Sequence, residues 1–258
     1  MSSTVHVPAP TPAPPDPLRG TARLVGALYL LTFVSIPSLA LYRPLKDHDD
    51  FVLGAGSSTG VLWGALSEVV VALAGTATAV VLHPLLRRQS QTAALGLVAA
   101  RVVETTLILV GAASLLTVVT LRADVAGTPG VEPATLVTVS RTLEAFYDRT
   151  FLLSQSLAPV VVDLLLGWLL WHSRLVPRVL PRLAFVGAPL LLLGDALVYT
   201  GAVDRTGALA GLLTIPVALF ELSLGGYLVA RGFLPTSPLV GGDAPHRPGA
   251  GRPVPGSP

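Results

Sequence analysis

Six stretches of the chain are almost wholly apolar, at about 24–42, 61–82, 93–121, 151–171, 183–203 and 208–230. Each is near or above the ~20 residues that cross a ~30 Å hydrocarbon core. None shows the strict alternation of a barrel strand, and in lipid only helices satisfy the backbone of segments like these. The pattern predicts an all-α fold, a polytopic integral membrane helical bundle with six transmembrane helices in one domain over 21–234. The third stretch is the longest and is expected to tilt or to run past the membrane. Residues 1–20 hold Pro8, Pro10, Pro12, Pro14, Pro15 and Pro17, and 235–258 are rich in Pro and Gly. Runs of that kind build neither helix nor core, so both are expected to be disordered arms.

The only sizeable loop is 122–150. It opens with Gly127, Pro129, Gly130 and Pro133, then carries Leu136, Val139, Leu143, Phe146 and Tyr147 at helical spacing. It reads as an interfacial helix leading into the fourth span, with a lid over an outward cavity as the other reading. Ser38-Leu39-Ala40 resembles a signal-peptide cleavage site. The long apolar run and the proline-rich arm before it favour a retained span.

The basic residues set the expected orientation. Arg19, Arg23, Arg87, Arg88, Arg174, Arg178, Arg182, Arg231, Arg247 and Arg252 fall on the side of the N-terminus, against Asp16 and Asp243. The opposite side holds Arg43, Lys46, Arg122, Arg141, Arg149 and Arg205. Its acids are more numerous: Asp47, Asp49, Asp50, Asp124, Glu132, Glu144, Asp148 and Asp204. The positive-inside rule then puts both termini in the cytoplasm of a multi-pass protein of the plasma membrane.

Composition agrees. Hydrophobic residues are 52% of the chain, charged residues 12%, and mean hydropathy is +0.69. A soluble domain is about a quarter charged. The formal net charge of +2 and the scattered arginines exclude a nucleic-acid partner. Cysteine is absent, which excludes disulfides, thiolate metal sites and a Cys nucleophile. Lys46 is the only Lys beside many Arg, Ala, Leu, Val and Gly, which suggests a GC-rich bacterial genome. There is no Walker A motif, no Rossmann fingerprint, no G-x-S-x-G and no H-E-x-x-H. The sequence thus points to no enzyme, cofactor or metal.

Candidate chemistry lies inside the spans. Glu68, Glu104, Asp163, Asp195 and Glu221 stand one in each of five successive apolar segments, and Arg101 lies one turn from Glu104. Counted along the helices at ~1.5 Å per residue, Arg101, Glu104, Asp163 and Glu221 lie roughly 12–17 Å from the cytoplasmic ends. Asp195 and Glu68 lie roughly 18–21 Å in. A charge at bilayer depth is costly and turns to the bundle interior, a partner or a water-filled cavity.

Neighbouring residues point the same way. Gly60, Gly64, Glu68, Ala72 and Thr76 form a small-residue row suited to close helix packing. Ser156, Pro159 and Gly167 share a face with Asp163, with Gln155 close by; Thr214, Pro216 and Gly225 are the corresponding neighbours of Glu221. Tyr199 follows Asp195 by one turn and is placed to hydrogen-bond it. Arg101 and Glu104, at i and i+3, are expected to pair.

Two readings of this set compete. The acids either make interhelical hydrogen bonds that only hold the bundle together, or line a path for a proton, a cation or a small polar solute. Other groups read as structural. His83 and His172 cap helix ends, and Asp47, His48, Asp49 and Asp50 form a solvated turn. Trp63, Trp168, Trp171, Tyr29, Tyr42 and Tyr227 read mostly as interface anchors, and Gly207/Gly211 as a weak packing motif.

Leu166-Gly167-Trp168-Leu169-Leu170-Trp171-His172-Ser173-Arg174-Leu175-Val176-Pro177-Arg178 resembles the "G-y-L-l-y-r-S-r-l-v-P-r" signature of a known family. Phe220-Glu221-Leu222-Ser223-Leu224-Gly225-Gly226-Tyr227 through Phe233 resembles its closing "f-E-l-s-l-g" signature. Arg23 to Leu31 is similar to its opening, and Ala100-Arg101-Val102-Val103-Glu104 to its "f-R-l-v-E" third helix. The family is DUF4386, bacterial six-span membrane proteins of uncharacterised function, and the resemblance covers about 20–234. It implies that Arg101, Glu104, Glu221, Ser173, Pro177 and Arg178 occupy motif positions, and it implies no substrate.

The sequence therefore leads to a small proton- or cation-coupled transporter with Arg101, Glu104, Asp163 and Glu221 at its middle, supplemented by Asp195 and Glu68. Its expected partners are the lipid bilayer and a small solute or proton. The alternative is a non-catalytic scaffold or sensor that binds a partner membrane helix.

Overall fold

The computed structural model describes residues 17–33, 39–125, 127–205 and 207–240. Among them the chain is all helix and turn. Helix α1 spans Pro17–Thr32 and short α2 spans Arg43–Lys46, between two 3-10 turns at Leu39–Tyr42 and Phe51–Leu53. Then come α3 (Ser58–Leu86), α4 (Gln91–Asp124), α5 (Pro133–Leu152), α6 (Ala158–Ser173), α7 (Val179–Tyr199) and α8 (Ala208–Arg231). A π turn at Leu153–Leu157 joins α5 to α6, so Pro133–Ser173 is one continuous rod. Pro159 follows at once and has no N–H for the ladder, and one widened turn is how a helix commonly accommodates such a break.

Five elements are long and apolar enough to cross a membrane: α3, α4, the α5–α6 rod, α7 and α8. The chain is thus a multi-pass membrane protein in contact with lipid. The first expected span, 24–42, does not appear as one helix among the described residues. Helix α1 ends at Thr32, and Leu39–Lys46 folds as two short turns instead. The fifth span, expected at 183–203, begins and ends four residues earlier as α7, because the turn after Ser173 is short. Arg174, at φ 54, reverses the chain there.

The helices close on themselves. Helix α1 packs on α3 and α8, α3 on α4, α4 on α6, α6 on α7, and α7 on α8. Small residues permit the closest approaches. A Cβ on Gly26 would meet Gly225 O at 2.6 Å and Val229 N at 2.8 Å, so α1 and α8 touch backbone to backbone. Gly187 likewise sits on Val217 of α8. The outward faces are apolar: Leu62, Leu66, Leu73 and Val80 on α3, and Leu212, Ile215, Leu219 and Leu222 on α8, are all exposed. Polarity is thereby inverted relative to a soluble helix, as lipid requires.

Two packed ends bracket the bundle. Where α1 begins, Ala22, Val25, Leu82, Leu86, Leu97, Leu166, Leu170, Phe220 and Leu224 form the main core. The chain after α8 returns to this end. Leu234 N donates to Leu175 O at 2.8 Å, Ser237 Oγ donates to Ser173 O at 2.7 Å, and Phe233 and Leu239 join the core. The packed part thus runs at least to Val240, beyond the boundary at 234 expected from the prolines. At the other end Tyr42, Leu45, Phe51, Val52, Leu115, Leu136 and Tyr147 pack together. Arg122 fastens the loop there, donating to the carbonyls of Phe51, Gly54, Ala55 and Gly56 at 2.6–3.0 Å.

Candidate functional site

Between the two packed ends lies a cavity of about 320 Å³, lined by residues of α1, α3, α4, the α5–α6 rod, α7 and α8. Of the acids singled out from sequence, Glu104, Asp195 and Glu221 line it, as does Arg101. Asp163 lies just beside them and Glu68 belongs to a separate cluster.

At one wall, Arg101 Nη1 donates to both carboxylate oxygens of Glu104, at 3.1 and 2.9 Å. Its Nη2 donates to Tyr29 Oη at 3.2 Å and lies 3.7 Å from Glu221 Oε1. The guanidinium lies against α3 at Gly75, where a Cβ would stand 3.6 Å from Arg101 Nη1, in ordinary contact. Three helices, α1, α4 and α8, thus meet on one cation. Thr105 Oγ1 donates to Ala72 O at 2.7 Å and shares a 2.7 Å hydrogen bond with Thr76, which fixes α4 against the small-residue row of α3.

Asp163 differs from the rest. It is fully buried, and neither of its carboxylate oxygens has a hydrogen-bond partner among the described residues. Its electrostatic neighbours are Glu221, Arg101 and Glu104. It is not among the residues that line the cavity.

Asp195 faces the cavity from α7. Ser156 Oγ donates to its Oδ1, and its Oδ2 has no partner. The expected bond from Tyr199 does not form: Tyr199 points outward and is largely exposed. Tyr199 is the last residue of α7, where its ring is exposed, and Ser156 takes the carboxylate instead.

Glu68 is caged. It accepts from Tyr147 Oη at 2.7 Å, Tyr42 Oη at 3.1 Å and Gln155 Nε2 at 3.1 Å. Tyr42 stands edge-on to Tyr147, with centroids 5.4 Å apart, and lies over Gly64. The π turn explains how two neighbours serve two acids, since Gln155 reaches Glu68 on α3 while Ser156 reaches Asp195 on α7. Π turns recur at functional sites for this kind of re-aiming.

Tyr29 and Tyr42 are therefore not interface anchors. Both are buried; Tyr29 Oη accepts from Arg101, and Tyr42 Oη donates to Glu68. Trp63 and Trp168 are exposed as anchors would be. Arg205, which the sequence places only among the loop charges opposite the N-terminus, also lines the cavity; its Nη2 lies 3.4 Å from Asp148, which Lys46 holds at 2.6 Å. Among the described residues no group of three or more His, Asp or Glu is gathered as a metal site requires.

The model of the domain of unknown function DUF4386 matches residues 24–232, most of the chain. The chain belongs to the DUF4386 family. The match takes in Arg101, Glu104 and Glu221, the three charged groups that meet at the cavity wall. It also takes in Ser173 and Pro177, which form the turn on which the returning segment docks. No curated protein and no solved structure matches the chain. DUF4386 brings no substrate, so the function has to be argued from the cavity.

Proposed function

We propose that this protein carries a proton or a small solute across the bilayer through the central cavity, with Arg101, Glu104, Asp163 and Glu221 as its middle tier. In this reading α1 and the turns after it supply a sixth span, both ends of the chain are cytoplasmic, and the cavity opens to the other side. The protein makes and breaks no covalent bond.

The observation that carries the reading is the contrast between two buried acids. Glu68 has a donor for each oxygen, as a structural acid should. Asp163 has none, beside a guanidinium shared by Glu104 and Glu221. A buried carboxyl left without donors is destabilised as the anion and responds to any change in neighbouring charge. Intramembrane acids in such settings mark proton and ion pathways.

Proteoliposomes loaded with a pH-sensitive dye test the proposal. Flux that falls at least tenfold in Asp163→Asn and Glu221→Gln supports it; equal flux in wild type and both variants contradicts it. Orientation is tested separately. The chain has no cysteine, so Arg88→Cys and Thr128→Cys are single labelling sites. An impermeant maleimide added outside intact cells should label the second and spare the first.

A scaffold or sensor for a partner membrane helix is the second reading, and the Glu68 cage favours it for that residue. A stoichiometric partner in a native pull-down, together with no flux, would select it.

A further inference from the structure

We infer that the cavity binds a lipophilic organic cation, an ammonium group on an apolar body, with Asp195 as its counter-ion. The inference rests on reading the cavity as a solute site, but it does not require transport.

The cavity lining contains two arginines, Arg101 and Arg205, and three acids, Glu104, Glu221 and Asp195. Both cations already have acidic partners: Arg101 holds Glu104, and Arg205 lies beside Asp148. Asp195 has no cation in ion-pair range among the described residues. It is only 4% exposed, Ser156 holds one oxygen, and the other has no donor. A desolvated carboxylate with an open lone pair is unfavourable until a donor arrives, and more so without a positive charge. An ammonium supplies both charge and three N–H groups.

Apolar walls around Asp195 select what the ammonium is attached to. Leu191, Val198, Phe151, Leu152 and Val217 line the same cavity. A bare metal cation would need a shell of oxygens that these side chains do not offer. A cavity of about 320 Å³ suits a one-ring amine, and sites for small molecules combine apolar walls with a few placed polar groups. Two nitrogens, Arg101 Nε and Arg205 Nη1, also lack partners, which makes an anion the rival ligand. Arg101 already faces two acids, Glu104 and Glu221, while Arg205 shares Asp148 with Lys46; with three acids against two arginines on the wall, an anion would add surplus negative charge.

Equilibrium dialysis of purified full-length protein in detergent decides between them, using phenethylamine, phenylpropionate and phenylethanol as probes of similar size. Phenethylamine should bind at least tenfold more tightly than either of the others. Asp195→Asn should weaken it at least tenfold, while Tyr199→Phe, on the outward side of the same helix, leaves it within twofold. Failure of the wild type to bind the amine, preference for the carboxylate, or equal amine binding by Asp195→Asn would overturn the proposal. The probe comparison needs no variant, so a poorly folding Asp195→Asn does not blunt it. Amine binding without any flux would contradict transport and leave the amine site standing.

Discussion

Arg101 engages both oxygens of Glu104 through a single nitrogen, Nη1, leaving Nη2 for Tyr29 and Glu221. The pair is i, i+3 on one helix, yet its work is between helices, because the second nitrogen reaches α1 and α8. Removing one member of a buried pair typically costs about 3–5 kcal/mol, since the other is left uncompensated. Glu104→Leu should therefore lower the melting temperature of the detergent-solubilised protein much more than the double change Arg101→Met with Glu104→Leu. Equal losses in single and double variants would show that the pair is not coupled.

The Glu68 cage predicts a graded series. Tyr147→Phe removes the shorter phenol bond, at 2.7 Å, and Tyr42→Phe the longer, at 3.1 Å. A hydrogen bond to a charged group contributes about 1.5–3 kcal/mol. Tyr147→Phe should destabilise by about 2 kcal/mol and Tyr42→Phe by less, read from chemical unfolding; the reverse order would reject the cage geometry.

Much of this arrangement was legible in the sequence. The apolar runs marked the helices, and the row Gly60, Gly64, Glu68, Ala72, Thr76 identified the packed face of α3. The i, i+3 spacing paired Arg101 with Glu104. What the sequence could not convey was which tyrosines turn inward. A tyrosine near a span end serves equally as an interface anchor or as a donor to a buried acid, and only the position of α1 and of the turn before α3 decides. Tyr42 and Tyr147 lie far along the chain from one another, so no local spacing links either to Glu68. Helical spacing did suggest Tyr199 for Asp195, but the π turn brought Ser156 there instead. Apolarity alone does not show where a helix stops, so the span expected at 24–42 runs past the end of α1 at Thr32.

The backbone contact of α1 with α8 makes a sharp prediction at two glycines. Gly26→Ala would put a Cβ 2.6 Å from Gly225 O, whereas a Cβ on Gly226 meets nothing within 4 Å. Overpacking of that kind costs about 1–3 kcal/mol. Gly26→Ala should reduce thermal stability and folded yield, while Gly226→Ala should be neutral or slightly stabilising.

The returning segment after α8 is held by Ser237 and Leu239. Ser237→Ala removes the bond to Ser173 O, worth about 1 kcal/mol, with little change elsewhere. Limited proteolysis should then cut residues 232–240 faster than in wild type, and an unchanged cleavage rate would show that this bond does not hold the segment.

Transport through the cavity requires that Glu104 and Glu221 face a water-reachable space and not the lipid. Ala218 lines the cavity one turn before Glu221, and Leu222 on the same helix is exposed toward the bilayer. In this cysteine-free chain, Ala218→Cys should react with a charged, impermeant thiosulfonate added on the side opposite the N-terminus, while Leu222→Cys reacts only with a lipid-soluble maleimide. An Ala218→Cys thiol that the charged reagent never reaches, beside a Leu222→Cys thiol that it does, would contradict the account.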